Sequence, residues 1–282
     1  MLTPEQVEQY HTEGYTLSPG FFVEEEVAAM QSDMDLNSAG ATLAVHDKSR
    51  LEMEPGQPPG GTRVRRIYEP CTHYPLFREL SDLPRLLDCV EALIGPDIDF
   101  HYSKINMKPP SIGSVVDWHQ DLSYYPLTNA DSVTVLMYLD DADRGNGCLQ
   151  VIPRFHTRPL LDHTRDGFFQ GRVTEPVDES PAVPLEGKAG SVIFMHALTP
   201  HSSVVNTSPR WRRTLILSYR AADAFPIYCG DITLSGEEHV RHVRGKVPSV
   251  ARFSPWTRFP VPRYAQKARS LYELQEQSRA AK

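Results

Sequence analysis

The stretch DSVTVLMYLDDADRGNGCLQVIP (residues 131–153) decides the fold class. Ser132 to Leu139 is a short, wholly apolar-textured run, the pattern of a strand buried on both faces. DDADRGN (140–146) then gathers turn-forming residues, and CLQVIP (148–153) resumes the strand texture. Working outward, the same texture recurs upstream in DFHYSKINMK (99–108). It recurs downstream in SVIFMHA (191–197), SSVVN (202–206) and RTLILSYRA (213–221). Gly, Pro and Asn turns punctuate these runs and no helix-length apolar pattern separates them. A sandwich or barrel is therefore expected, not a βαβ fold.

The region before Asp97 has a different character. Thr3, Pro4 and Gln6 form a capping box with proline at the first helical position. That helix should stop at Gly14. A second helix should begin near Glu24 with Val27, Met30 and Met34 on one face. A third, from about Leu83 to Ile94, ends at Gly95-Pro96. Residues 37–62 are rich in Gly, Pro and small polar residues and read as an irregular candidate lid. Residues 163–184 read as a long insertion over the barrel mouth. Residues 264–281 read as a polar helix.

Composition removes several function classes. A formal charge of −7 and an isoelectric point of about 5.9 leave no basic footprint for nucleic acid. The cluster Arg63, Arg65 and Arg66 sits in TRVRRIYEP, a strand-like alternation. Cys71, Cys89, Cys148 and Cys229 are scattered with no CxxC pair, so neither structural zinc nor a disulfide framework is expected. No run approaches the roughly 20 apolar residues of a membrane span, and MLTPEQVEQY resembles no leader. The expectation is a cytoplasmic protein of one domain over 1–282, with N-terminal elements in 1–96, a β core in 97–225 and a C-terminal extension in 226–282. Its partners should be small molecules, not nucleic acid or membrane.

The chemistry concentrates in WHQDLSYYP (118–126). On a strand, residues two apart share a face, so His119 and Asp121 can grip one metal ion while Gln120 points away. SVIFMHALTPHSSVV (191–205) offers two further histidines, His196 and His201. Two imidazoles and one carboxylate form the facial set that holds non-haem Fe(II). WRRTLILSYR (211–220) then supplies arginines suited to a bidentate grip on a carboxylate. Arg212 competes there with Arg210 and Arg213. Arg212, Thr214, Ile216 and Ser218 share one face of a strand; Arg213, Leu215, Leu217 and Tyr219 share the other.

Most of the chain resembles the phytanoyl-CoA dioxygenase family of Fe(II)/2-oxoglutarate oxygenases. The resemblance runs through LTPEQVEQYHTEGYTLSPGFF (2–22), KPP (108–110), WHQDLSYYP, GNGCLQVIPRFHT (145–157), HALTPH (196–201) and WRRTLILSYR. It implies a mainly β double-stranded β-helix, a jelly-roll or cupin-like core with N-terminal helices packed on the barrel. It implies Fe(II) on His119, Asp121 and His201, the second histidine of HALTPH, with 2-oxoglutarate and O2 as cosubstrates. The eleven-residue offset from His201 selects Arg212 for the cosubstrate's distal carboxylate, with Ser203 beside it. Gln120, Lys104 and Arg66 are further candidates for contacts to the cosubstrate. Related iron halogenases replace the carboxylate ligand by Gly or Ala, so Asp121 favours hydroxylation of a C–H bond in a small metabolite or natural-product intermediate. Members often carry an aromatic residue on the strand after the His-x-Asp pair. Met137 stands at that place here, implying a differently shaped pocket. Trp118, Tyr124, Tyr125, Phe168 and Phe169 are candidate pocket walls. A cupin-type hydrolase or isomerase that does without 2-oxoglutarate, and a non-catalytic jelly-roll binding protein, are the competing readings.

Overall fold

The computed structural model describes residues 1–111, 115–227, 237–254 and 271–280. Helix α1 (Pro4–Glu13) is capped as its sequence dictates: the Thr3 side chain accepts from Gln6 N–H, and the Gln6 side chain accepts from Thr3 N–H. Gly14 ends it at φ 84°, a left-handed conformation open to glycine. Helix α2 (Glu24–Ser38) buries Val27, Met30 and Met34. Two short helices that the sequence pattern did not announce follow, α3 (Pro70–His73) and α4 (Pro75–Ser81). Each starts on a proline already fixed near helical φ. Helix α5 (Pro84–Ile94) stops at Gly95.

Two antiparallel sheets face each other. The larger runs in the order Tyr15–Ser18 (β1), Val192–His196 (β11), Ser132–Tyr138 (β6), Arg212–Ala221 (β13), Ile98–Lys108 (β4), Val64–Tyr68 (β3) and Leu51–Met53 (β2). Arg241–Arg244 (β14) also pairs with β4. The smaller sheet runs Val183–Leu185 (β10), Leu149–Val151 (β7), His201–Ser203 (β12) and Val116–His119 (β5). Thr164–Arg165 (β8) and Phe168–Phe169 (β9) form a small hairpin beside them. From β4 to β7 and again from β10 to β13, successive strands land on alternate sheets, the double-stranded β-helix expected of the core.

The period-2 alternation of strands explains how the large sheet serves two layers at once. On β13, Leu215, Leu217 and Tyr219 face the helices, and on β6 Val133, Val135 and Met137 do the same, joining Met30, Met34, Phe77, Leu86 and Val90 in one core. The opposite faces, with Leu136, Tyr138, Ile193, Met195 and Ile216, meet Leu149, Val151 and Leu185 of the smaller sheet. Met137 therefore packs on the helices and does not shape the barrel interior.

The segment 37–62 is less irregular than its composition suggests. It contains the end of α2 and strand β2, and the Gln57 side chain ties Glu54 to Arg63. In 163–184, the β8–β9 hairpin packs onto the smaller sheet, with Val173 N–H bonded to the Trp118 carbonyl at 2.8 Å. The tail forms α6 (Leu271–Ala280); the expected helical start at 264–270 lies outside the described residues. Cys71, Cys89 and Cys148 are buried free thiols, and Cys229 lies outside the described residues. Among the described residues no helix is long and apolar enough to cross a membrane.

Candidate metal centre and its cavity

His119 closes β5 and is the register partner of His201, the first residue of β12. That pairing sets the two imidazoles side by side, ring centroids 4.0 Å apart. Asp121 does not lie on the strand, as the sequence reading required. β5 ends at His119, and Asp121 opens a 3-10 turn (Asp121–Ser123) that swings its carboxylate back to the same place. Asp121 Oδ1 lies 3.8 Å from His119 Nε2 and 3.7 Å from His201 Nε2.

The surroundings prepare these three groups to donate electron pairs. His119 Nδ1 faces the Asp117 carbonyl at 2.8 Å, and His201 Nδ1 faces that of Thr199 at 3.0 Å. A carbonyl only accepts, so each Nδ1 carries the ring proton and each Nε2 presents a lone pair. Burial holds both imidazoles neutral by pushing their pKa below the usual range. Burial works against ionisation of Asp121, but its neighbours His201, Lys104 and His119 and a hydrogen bond from Thr134 outweigh it and keep the carboxyl low. That Thr134 hydroxyl donates to Asp121 Oδ2 at 2.6 Å, leaving Oδ1 toward the histidines. All three ligand atoms lie within 4.8 Å of one another in a buried cluster, a donor set that fits a divalent iron ion.

His196 is elsewhere. It ends β11, packs against Tyr10 and His156, and takes the Leu198 N–H on Nδ1 at 3.0 Å. Burial pulls it down to about 3.

The cavity over the three ligand residues is walled by Leu136, Leu149, Met195 and Ile216, with Lys104, Asn106, Ser203, Arg212 and Tyr272 as its polar lining. Arg212 is buried, with Nε bonded to the Gly147 carbonyl at 3.0 Å and Nη1 to Thr214 Oγ1 at 3.0 Å. Its Nη2 has no hydrogen-bond partner, and no carboxylate pairs with it, among the described residues. Arg213 differs in every respect. It leaves the sheet on the other side and is fully engaged by Asp140, Nε at 2.9 Å and Nη2 at 2.7 Å. Arg210 pairs with Asp143 near the surface.

Lys104 also lines the cavity and lacks a carboxylate partner among the described residues; burial pulls it down to about 8. Arg66, 4% exposed, spends Nε on Asn106 Oδ1 at 2.9 Å and leaves Nη2 without a partner. Gln120 does not join this group. Its amide is used on the Leu198 carbonyl at 2.6 Å and the Leu161 N–H at 2.8 Å, a brace between loops. None of the five candidate wall aromatics lines the cavity: Tyr124 packs edge-on to Phe169, and Tyr125 to His101 and Tyr102. Thr134 and Tyr272 escaped the sequence reading. Alternation within SVTVLMY would have put Thr134 inward, whereas nothing in the tail marked Tyr272.

The sequence pattern of the phytanoyl-CoA dioxygenase family matches residues 10–214. The chain is 33% identical over 235 residues, 80% of its length and 82% of the relative's, to a "probable alpha-ketoglutarate-dependent hypophosphite dioxygenase" of Stutzerimonas stutzeri. It is 30% identical over 220 residues to a methylphosphonate hydroxylase of Gimesia maris, covering 78% of this chain and 81% of that one. In fold it is similar to the crystal structure of EctD from S. alaskensis with 2-oxoglutarate and 5-hydroxyectoine. The TM-score is 0.64 at 24% identity, covering 78% of this chain and 77% of that one.

Proposed function

The chain belongs to the phytanoyl-CoA dioxygenase family, iron enzymes that use 2-oxoglutarate and O2, and from that premise we propose that it hydroxylates an unactivated C–H bond of a small anionic metabolite, releasing succinate and carbon dioxide. A dioxygenase displaces the hydrolase, isomerase and non-catalytic readings. His119 and His201, through Nε2, and Asp121, through its carboxylate, would hold the iron. Iron with 2-oxoglutarate supplies the oxidising power, by coupling O2 reduction to decarboxylation of the oxo acid. The protein's part is to bind, orient and exclude water.

One observation carries this reading: Arg212, a buried guanidinium without a carboxylate partner among the described residues, lines the same cavity as the three ligand residues. An unpaired buried charge is costly, so such a cation is kept for an anion that arrives. Arg212 with Ser203 would take the distal carboxylate of 2-oxoglutarate. The apolar walls Leu136, Leu149, Met195 and Ile216 keep bulk water from that pair.

Lys104 supports the finer statement about substrate. With iron, Asp121 and both cosubstrate carboxylates in place, Arg212 and Lys104 leave the pocket with an excess of one positive charge. A substrate bearing negative charge neutralises it. Relatives named for hypophosphite and methylphosphonate, both small phosphorus oxyanions, favour the same class. The same reading treats residues 1–282 as one catalytic unit.

The test is substrate-stimulated succinate release from the Fe(II)-loaded protein, with methylphosphonate, short carboxylates and uncharged amides as probes. An anion should stimulate release, and Lys104→Met should lose that stimulation while retaining 2-oxoglutarate binding. Stimulation by the uncharged compounds alone would overturn the substrate class.

A further inference from the structure

The cavity is closed on one side by a residue far outside the family match. Helix α6 rests across the rim on several polar contacts. Arg65 Nη2 donates to Glu276 at 2.7 Å, and Arg172 Nε donates to Ser278 Oγ at 2.9 Å. Gln275 accepts from the Asp117 N–H at 3.0 Å and donates to the Gly171 carbonyl at 2.6 Å. Arg279 pairs with the Asp117 carboxylate. Asp117 is also the residue whose carbonyl orients His119. The tail is therefore bonded to the strand that presents a metal-ligand histidine.

Tyr272, in the first turn of α6, is 1% exposed. Its ring is held by two guanidinium groups, Arg65 at 3.9 Å and Arg66 at 4.8 Å from the centroid. It lines the cavity together with Arg212, Ser203 and Asn106. Yet its hydroxyl makes no hydrogen bond with any described residue. Burial pushes the phenol up against the opposing pull of Arg66, Arg212 and Arg65, so the oxygen keeps its proton. A phenylalanine would stack between the same arginines without burying a hydroxyl. The hydroxyl is a donor without an acceptor among the described residues, in the cavity that also holds Arg212, a cation without a carboxylate partner among them.

We propose that Tyr272 is a cosubstrate-binding residue: its hydroxyl donates to the 2-oxoglutarate carboxylate held by Arg212, so that the cosubstrate and the C-terminal helix fix each other in place. This rests on the assignment of Arg212 to that carboxylate. A hydrogen bond to a charged acceptor in a dry cavity corresponds to roughly a tenfold or larger change in affinity.

The experiment titrates 2-oxoglutarate into the full-length, Fe(II)-loaded protein under anaerobic conditions by calorimetry. It also follows hydrogen exchange of residues 271–280 with and without 2-oxoglutarate. Tyr272→Phe should leave α6 exchange unchanged in the absence of 2-oxoglutarate, because both arginine contacts remain, yet bind the cosubstrate roughly tenfold more weakly. In the wild-type protein 2-oxoglutarate should slow exchange across α6. Wild-type affinity in Tyr272→Phe, or wild-type α6 exchange that ignores 2-oxoglutarate, overturns the proposal while leaving the Arg212 assignment standing. Undiminished binding in Arg212→Ala instead removes that assignment, and this inference with it.

Discussion

Arg212 and Arg213 are adjacent, chemically identical and opposite in role. Arg213 is answered by Asp140 on the outer face of the sheet, whereas Arg212 opens into the cavity with no acid beside it. Arg212→Ala should therefore raise the 2-oxoglutarate requirement steeply, by roughly 2–5 kcal/mol of binding, with little loss of stability. Arg213→Ala should bind 2-oxoglutarate as the wild type does but unfold earlier. The lost charge-assisted hydrogen bonds correspond to about 1–3 kcal/mol, since Asp140 keeps its partial burial without its partner. Cosubstrate titration and denaturant midpoints on the two variants separate the effects; exchanged phenotypes would shift the strand by one residue. Period alone reduced the choice to two faces of β13, and the spacing shared with the family chose between them. The three metal-ligand candidates were legible in the same way. What the sequence concealed was the backbone path, because a 3-10 turn and a strand continuation place the Asp121 carboxylate in the same spot. Gln120 was misread for the same reason: once the strand ends, the residue between the two ligands is free to brace Leu161 and Leu198.

Among elements, those with strong local chemistry were readable. The capping box of α1, the Val27–Met30–Met34 stripe of α2 and the Gly95 stop of α5 each follow from nearest-neighbour physics. Helices α3 and α4 were missed because pieces of four and seven residues carry too few turns to show a period. The joints between elements depend on contacts distant in sequence. Gly190, entering β11, adopts φ 85°, and a Cβ there would stand 2.2 Å from the Phe22 carbonyl oxygen. The same carbonyl-rich joint is closed by Phe22 N–H bonding to the Gly190 carbonyl at 3.0 Å. Gly190→Ala should thus cost about 1–3 kcal/mol, combining left-handed strain with displacement of the segment leading into α2. A chemical denaturation curve checks this: a midpoint within error of the wild type would mean that the joint relaxes freely.

At the scale of the whole molecule, hydrophobic contacts are satisfied on both sides of the large sheet, and two buried cations without a carboxylate partner among the described residues meet at one cavity. Arg212 and Lys104 line the cavity, with Asp121 the acid among its lining residues. Like charges held in a poorly screened interior oppose folding until something of opposite sign joins them. Fe(II) with 2-oxoglutarate should accordingly stabilise the protein, by about 2.7 kcal/mol at a hundredfold excess over the dissociation constant. That corresponds to a rise in melting temperature of several degrees, which differential scanning calorimetry would register. Arg212→Ala should melt close to the wild type in the ligand-free form and respond less to 2-oxoglutarate. Coupling of this kind reaches beyond catalysis. In a cell, cleavage by proteases follows how often a molecule opens. A copy starved of metal and oxo acid opens more often, so the unmatched cations set the protein's lifetime by the supply of what it consumes.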